Sequence, residues 1–423
     1  MAKWSELPRD ILERISSFCI IHDHIRMQYV CKSWRSILKN TNRELPFLMM
    51  LPNDDEEDTD ARDFFSLSKQ KIHTVHLLEI RGKRCCGSFR NGWLMIVDEN
   101  LDVFLFHPWS KRRIDLPHDS TFRANSLIGS SWGEIRDLGI LKAAVSDDGK
   151  VVVIAYGLGL WFLAFCRIGD DVYTHIDINP AVEDVIYHKG NFYLFTGKTS
   201  LYLLHIEEEE DGSSPHIEEL TVRLENDFKI PYRTFGYLVP DVLTDSMFVI
   251  SRDIERIGEG NDSDEEEDLP HKTVHFDIFM VSLEESKTLK RFKKVENLGD
   301  RVLFLGHNSP IVVLACELPG FEGNRIYFAD SRAERYYDGL HGCRDSGVFS
   351  LDDGTVEELF AERFHPTLSP PIWIATPPYS SSEIFEESSY AHEHLSLSPD
   401  GKLPGIVGDY PDELLVDSHT GRH

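Results

Sequence analysis

Residue types that could carry catalytic chemistry are frequent in this 423-residue sequence, but they do not fall into the spacings that such chemistry requires. The pairs Gly157-x-Gly159 and Gly258-x-Gly260 lack the third glycine and the following helix of a dinucleotide site. No glycine-rich loop leads into the Lys-Ser/Thr pair that cradles phosphate. The 19 histidines include no H-x-x-x-H on a predicted helix and no grouping with cysteine at zinc spacing. The sequence therefore predicts no cofactor, no metal and no catalytic residue.

Acidic side chains leave one enzymatic alternative open. The 72 Asp and Glu residues could supply a carboxylate pair for acid and base catalysis, although no spacing along the chain singles one out. A binding protein, not an enzyme, is the favoured interpretation.

Charge divides the sequence into two parts. The net charge is −28, but residues 1–50 carry eight Lys and Arg against five Asp and Glu, which leaves 36 against 67 for the remainder. An acidic body repels phosphate backbones and anionic lipid, so the charge disfavours nucleic acid and membrane partners. The expected partner is a protein.

The cysteines and the first residues indicate a reducing compartment. The seven cysteines are odd in number and form no C-x-x-C pair. The chain starts Met-Ala-Lys-Trp-Ser-Glu, without an apolar stretch followed by a cleavage site. The uncharged run at residues 151–166 is shorter than the roughly 20 residues that cross a bilayer, and it reads as two buried strands. We expect the protein in the cytoplasm, the nucleus or both.

The elements that must position any site change type along the chain. Leu7, Ile11 and Ile15 recur four residues apart, Pro8 stands where a first helical turn tolerates proline, and two further apolar stripes predict three short helices before residue 40. From about residue 72 the pattern changes to short apolar strands separated by turn residues. Similar hairpin-like units occupy residues 92–107, 149–166 and 190–206.

Repeated antiparallel units favour a β-propeller over a sandwich or barrel, with about six to eight blades. The sequence thus predicts a multidomain protein, α plus all-β. The expected parts are a helical module at residues 1–45, an acidic linker at 46–71, a propeller at 72–378 and a C-terminal tail at 379–423. The apolar run near residues 371–376 is predicted to close the ring against residues 72–80, and the acidic segment 259–268 to be a loop within one blade.

The N-terminal module resembles the F-box in the order and spacing of its residues: Trp4-Ser-Glu-Leu-Pro8, Ile11-Leu-Glu-Arg-Ile15, and Val30-Cys-Lys-Ser-Trp-Arg35. The resemblance implies binding to the Skp-type adaptor of a cullin-RING ubiquitin ligase, and through it to cullin and RING subunits. The apolar positions that match the motif are the predicted adaptor-binding residues: Leu7, Pro8, Ile11, Leu12, Ile15, Val30, Cys31 and Trp34.

The second part is similar to the β-propeller of plant KIB-type F-box proteins. The matching segments are FRNGWL (89–94), HPW (107–109) with IDLP (114–117), LAFCRIGD (163–170), DVIYHKGNFY (184–193), LGDRVLFLG (298–306), NRIYFAD (324–330) and PPIWI (370–374). The family's usual Trp before residues 295–299 is replaced here by Arg291-Phe-Lys-Lys294. The resemblance implies a propeller that recruits substrates.

The expected function is therefore the substrate-recognition subunit of an F-box ubiquitin ligase, with a protein substrate that the sequence does not name. Two alternatives stay open: a protein-binding scaffold that assembles no ligase, and a propeller enzyme.

Overall fold

In the computed structural model, the N-terminal module contains helices and the chain from Phe47 onward is built mainly from strands. The structure describes residues 4–17, 19, 23, 27–28, 30–38, 46–50, 60–89, 92–122, 139–157, 162–178, 182–196, 200–206, 215–220, 222–224, 234–256, 271–283, 290–318, 320–331, 345–359 and 369–375. The predicted C-terminal tail lies outside these residues.

The N-terminal module contains helix α1 at Arg9–Ser17 and helix α2 at Lys32–Leu38. Pro8 precedes α1, where its missing N–H removes no helical hydrogen bond. The predicted middle helix falls mostly on residues that the structure does not describe, so the three-helix prediction is untested. Within the described parts of the chain, no helix is long and apolar enough to span a membrane.

Apart from short 3-10 turns, the other regular elements of the described residues are strands. In chain order they are β1 Phe47–Met50, β2 Ala61–Ser66, β3 Lys71–His76, β4 Arg84–Ser88, β5 Leu94–Val97, β6 Val103–His107, β7 Arg112–Asp115, β8 Ile140–Val145, β9 Val151–Tyr156, β10 Phe162–Arg167, β11 Thr174–Ile176, β12 Val182–His188, β13 Asn191–Thr196, β14 Ser200–His205, β15 His216–Leu220, β16 Val222–Leu224, β17 Thr234–Pro240, β18 Ser246–Arg256, β19 His271–Ser282, β20 Lys290–Lys294, β21 Arg301–Leu305, β22 Ile311–Leu314, β23 Arg325–Phe328, β24 Gly347–Ser350, β25 Val356–Glu358 and β26 Ile372–Ile374.

These strands form six sheets, which are the blades of a propeller. From the inner strand outward, the blades are β26-β1-β2-β3, β4-β5-β6-β7, β8-β9-β10-β11, β12-β13-β14-β15, β17-β18-β19-β20-β16 and β22-β21-β23-β24-β25. Neighbouring inner strands contact each other from β26 through β4, β8, β12 and β17 to β22. The six blades agree with the lower end of the predicted number.

The ring closes by pairing the last described strand with the first. Strand β26 runs antiparallel to β1, with Phe47 opposite Ile374 and Leu48 opposite Trp373. The late apolar run therefore closes the ring as predicted, but the predicted partner at residues 72–80 is wrong. Strand β26 pairs with β1, whereas β3 pairs with β2 and is the outer strand of the same blade.

The predicted linker at residues 46–71 needs correction, because β1 and β2 lie within it and both pair in the first blade. A four-residue apolar run such as β1 is too short for its type to be read from periodicity. The acidic centre of the segment, at residues 51–59, lies outside the described residues.

The apolar core lies between neighbouring blades. Successive side chains of a strand point to opposite faces of its sheet, so a blade packs against the blade on each side. In β1, Phe47 and Met49 face a cluster shared with the second blade, whereas Leu48 and Met50 face a cluster shared with the sixth. Trp373 of β26 packs on the sixth-blade side. Strands buried on both faces contain continuous apolar runs, which is why the predicted hairpins were visible in the sequence.

All three predicted hairpin units are confirmed as neighbouring strand pairs: β5 with β6, β9 with β10, and β13 with β14. The acidic segment 259–268 connects β18 to β19, two paired strands of the fifth blade, as predicted. Its own residues lie outside the described part of the chain.

Candidate functional site

Helix α1 presents two different faces. Leu12 is 0% exposed, and Ser16, four residues later, is also buried. Ile11 and Ile15, beside this buried face, are 42% and 40% exposed. Residues four apart lie on the same side of a helix, so the two isoleucines form a continuous apolar strip directed away from the core.

Helix α2 is held against the start of the chain. The indole Nε1 of Trp34 donates a hydrogen bond to the main-chain oxygen of Trp4 at 2.9 Å. The Trp34 amide donates to the sulfur of Cys31 at 3.4 Å, and Leu38 ends the helix fully buried. This packing fixes the Trp-Ser-Glu-Leu-Pro segment beside the last helix.

The exposed apolar side chains of the module define what we call the F-box apolar surface. Its members are large or rigid apolar residues with substantial exposure: Trp4, Pro8, Ile11, Ile15 and Val30. Several predicted residues have other positions. Leu7, Cys31 and Trp34 are half-buried, and Leu12 belongs to the core of the module. The structure therefore brings Pro8, Ile11, Ile15 and Val30 to the surface and withdraws Leu12 from it.

Trp4 was absent from the predicted set, although it is 67% exposed. The available signal was an aromatic residue directly before the Leu-Pro motif, since Trp is enriched among the anchors of protein interfaces.

A buried polar cluster joins the fifth and sixth blades around Arg252, which is fully buried. Its Nη2 donates to Asp345 Oδ2 at 2.7 Å, its Nε to Thr273 Oγ1 at 2.7 Å and its Nη1 to the Ala329 carbonyl at 2.8 Å. Burial alone would lower the pKa of Arg252, but Asp345 and the Tyr237 hydroxyl outweigh it and hold that pKa above its ordinary value. Every nitrogen of the Arg252 guanidinium group donates a hydrogen bond, which indicates that the cluster locks the two blades together.

A second buried ionic group joins the third, fourth, fifth and sixth blades. Lys142 donates to the carbonyl oxygen of Gly306 at 2.6 Å and lies 3.8 Å from Asp184. Asp184 accepts from the amide of Leu238 at 2.8 Å. Burial raises the pKa of Asp184, and it raises that of the adjacent Glu183 to about 7.

Family comparisons agree with this architecture. The family described as KIB1-4 β-propeller matches residues 64–350, and the F-box domain matches residues 4–45. The chain belongs to the KIB1-4 β-propeller family. It is an F-box protein of that family, and its curated relatives are plant F-box proteins.

This F-box protein is 27% identical to F-box protein SKIP23 of Arabidopsis thaliana, over 92% of this chain and 100% of that protein. It is 21% identical to the probable F-box protein At4g22165 of the same plant, over 82% of this chain and 86% of the relative. Among solved structures, the Swd1 β-propeller domain of Myceliophteria thermophila aligns with a TM-score of 0.31 and 10% identity, covering 66% of this chain and 87% of that one. The propeller assignment stands on the sheet order.

The family suggests a non-enzymatic adaptor, and burial disfavours the thiolate form of two cysteines in the propeller of this F-box protein. Burial raises the pKa of Cys85 and of Cys166 to about 12. Burial and the neighbouring Asp23 raise the pKa of Cys19. Within the residues that the structure describes, no three His, Cys, Asp or Glu side chains form a group able to hold a metal.

Proposed function

We propose that this F-box protein is the substrate-recognition subunit of a cullin-RING ubiquitin ligase of the Skp-cullin-F-box type. The F-box apolar surface binds the Skp-type adaptor, and the propeller binds a protein substrate. The observation that carries the proposal is the strip formed by Ile11 and Ile15, exposed on one face of α1 inside a matched F-box domain.

Exposed apolar side chains of this size favour a partner. Isolated apolar residues on a surface are ordinary, but the F-box apolar surface gathers five in a module of about forty residues. Fully burying one such side chain contributes about 1.5–3 kcal/mol. An adaptor that covers Ile11, Ile15 and Trp4 would gain several such contributions.

The architecture of the propeller supports the proposal that it binds a protein substrate. A ring of six blades offers a rigid surface on which loops can hold a partner. Tethering a bound substrate to the ligase raises its local concentration near the ubiquitin-loaded enzyme without a new contact. The chemistry then takes place on other subunits, in the cytoplasm, the nucleus or both.

Proximity labelling in plant cells treated with a proteasome inhibitor tests the proposal. The wild-type chain should label adaptor and cullin subunits together with substrates, whereas Ile11→Asp/Ile15→Asp should lose the ligase subunits and keep the substrates. A matched variant, Leu78→Asp, changes an exposed apolar residue of the propeller and should keep the ligase subunits.

A scaffold that assembles no ligase would label no adaptor or cullin with the wild-type chain. That result would overturn the ligase role and leave the binding role of the propeller in place.

A further inference from the structure

Five large apolar side chains among the described propeller residues are exposed, and two of them are adjacent. Val242 and Leu243 are 53% and 54% exposed, in the turn between β17 and β18 of the fifth blade. The others, Leu78, Val172 and Val274, stand singly. Exposed apolar residues that stand singly are ordinary, whereas neighbouring ones form an apolar patch, which is a feature of interaction sites.

The turn that carries the pair is rigid. Asp241 is buried beneath it and accepts hydrogen bonds from the Leu243 amide at 3.2 Å and from the Thr244 hydroxyl. Arg301 of the sixth blade donates two hydrogen bonds to the same carboxylate, from Nε at 2.6 Å and from Nη2 at 2.7 Å. A loop held in one conformation loses little entropy on binding, so its exposed side chains are prepared for a partner.

Neighbouring turns surround the pair with acidic groups. Asp245 of the same turn pairs with Lys189 in the β12–β13 turn. Burial and the nearby charge of Asp147, in the β8–β9 turn, raise the pKa of Tyr187 at the end of β12. The three turns therefore lie side by side. Together with residues 296–301, they carry six acidic side chains against three basic ones.

The three basic side chains of this face form ion pairs with acidic ones. Lys150 lies 3.7 Å from Asp148, Lys189 pairs with Asp245, and Arg301 is bound to Asp241. The three other acidic side chains of this face, Asp147, Glu296 and Asp300, are exposed. The rim of the apolar pair is thus negative.

The same face receives the chain from the F-box. A Cβ at Gly92, in the β4–β5 turn, would lie 3.1 Å from the Ala375 carbonyl oxygen at the end of β26, and Phe47 pairs with Ile374. The β4–β5 and β17–β18 turns both follow the inner strand of their blade, so they lie on the same face of the propeller. The first propeller strand therefore begins, at Phe47, on the face that carries Val242 and Leu243.

We propose that Val242 and Leu243, with the acidic rim at Asp147, Glu296 and Asp300, form a docking surface for a basic protein segment with apolar side chains at its centre. The apolar pair supplies affinity, and the rim selects a positively charged partner and rejects an acidic one. That the partner is a ubiquitination substrate rests on the proposed function.

Selection from a phage-displayed random peptide library on the full-length chain tests this surface. Counter-selection on Val242→Ser/Leu243→Ser removes peptides that bind elsewhere, including the F-box apolar surface. The peptides that remain should combine Lys or Arg with apolar residues. Their affinity, measured by fluorescence anisotropy, should fall about tenfold or more in the double variant, which corresponds to about 1.4 kcal/mol.

Control variants distinguish binding at this surface from non-specific binding to exposed apolar residues. Leu78→Ser and Val172→Ser, which alter exposed apolar residues elsewhere, should leave the affinity unchanged, whereas Asp147→Lys/Asp300→Lys should reduce it. Enrichment of acidic peptides, equal affinity in the double variant, or no enrichment at all would overturn the proposal. Binding of a purified Skp-type adaptor, measured on the same preparations, reports the proposed function independently.

Discussion

Ile11 and Leu12 are consecutive residues of α1 with different environments: Ile11 faces solvent, and Leu12 packs in the core of the F-box. Ile11 is 42% exposed, and Leu12 is 0% exposed. Adjacent helical positions lie about 100° apart, so one residue can contact a partner while the next packs in the core. The sequence motif assigns both to the adaptor, whereas the structure separates them.

This difference predicts that two alanine variants change the stability of the helical module by different amounts in the absence of the adaptor. Leu12→Ala removes buried methyl groups and should destabilise the helical module by about 2–5 kcal/mol. Ile11→Ala should cost under about 1 kcal/mol, because its side chain remains in solvent. Hydrogen exchange of the amides in Arg9–Ser17 measures both changes. Equal loss of protection would contradict the assignment of the two faces.

Closure of the ring predicts that the last described strand is essential for folding. A chain ending at residue 367 lacks β26, whose Ile372, Trp373 and Ile374 are fully buried, and it leaves the edge of β1 unpaired. We expect insoluble or molten protein with exposed apolar surface. A control chain ending at Ser382, the end of the first compact unit, should fold cooperatively.

Circular dichroism melting and dye binding distinguish these states. A soluble, monomeric chain that ends at residue 367 and melts cooperatively would show that the closing strand is dispensable.

Local sequence pattern predicted the strands of the propeller well, because β9, β10 and β13 are nearly continuous apolar runs bounded by turn residues. It did not predict β1. Four apolar residues have no distinguishing period, and the strand exists because it pairs with β26, more than 300 residues away in sequence. Long-range pairing of this kind is not encoded in any local window.

The candidate site shows the same limit. The structure places Pro8, Ile11, Ile15 and Val30 at the surface, but the motif could not tell that Leu12 packs inward, because Ile11, Leu12 and Ile15 lie within one apolar arc of α1. The lock around Arg252 was also invisible, because its partners come from two blades.

The pairing of Arg252 with Asp345 predicts a large coupling energy. Arg252→Met leaves a buried carboxylate without its partner and should cost about 3–5 kcal/mol in the free energy of unfolding. Arg252→Met/Asp345→Leu removes both charges and should be clearly more stable than the sum of the single changes implies.

Urea unfolding of the four proteins of this double-mutant cycle gives the coupling energy. Arg325→Met, which breaks an exposed ion pair with Asp352, is the matched control and should cost under about 1 kcal/mol. Additive effects of the two buried changes would contradict the lock.

The half-buried carboxyl of Glu183 predicts a pH dependence of stability. Burial raises its pKa from 4.5 to about 7, so between these values the folded chain holds a proton that the unfolded chain has lost. Stability must therefore fall as pH rises from 4.5 to 7, by on the order of 3 kcal/mol from this group. Glu183→Gln should remove that decline.

Urea unfolding at both pH values, with Glu296→Gln as an exposed control, measures the effect. Glu183→Gln should be more stable than wild type at pH 7 and similar to it at pH 4.5. An unchanged decline in the variant would show that Glu183 is not the group responsible.

Calorimetric titration of a purified Skp-type adaptor into the full-length chain tests the central claim most directly. We predict saturable one-to-one binding by the wild type and by Leu78→Asp. Ile11→Asp/Ile15→Asp should weaken the affinity at least about a hundredfold, since charging two interface anchors costs about 3 kcal/mol or more. Absence of binding by the wild type, or equal affinity in the folded double variant, would contradict the assignment of this apolar surface to the adaptor.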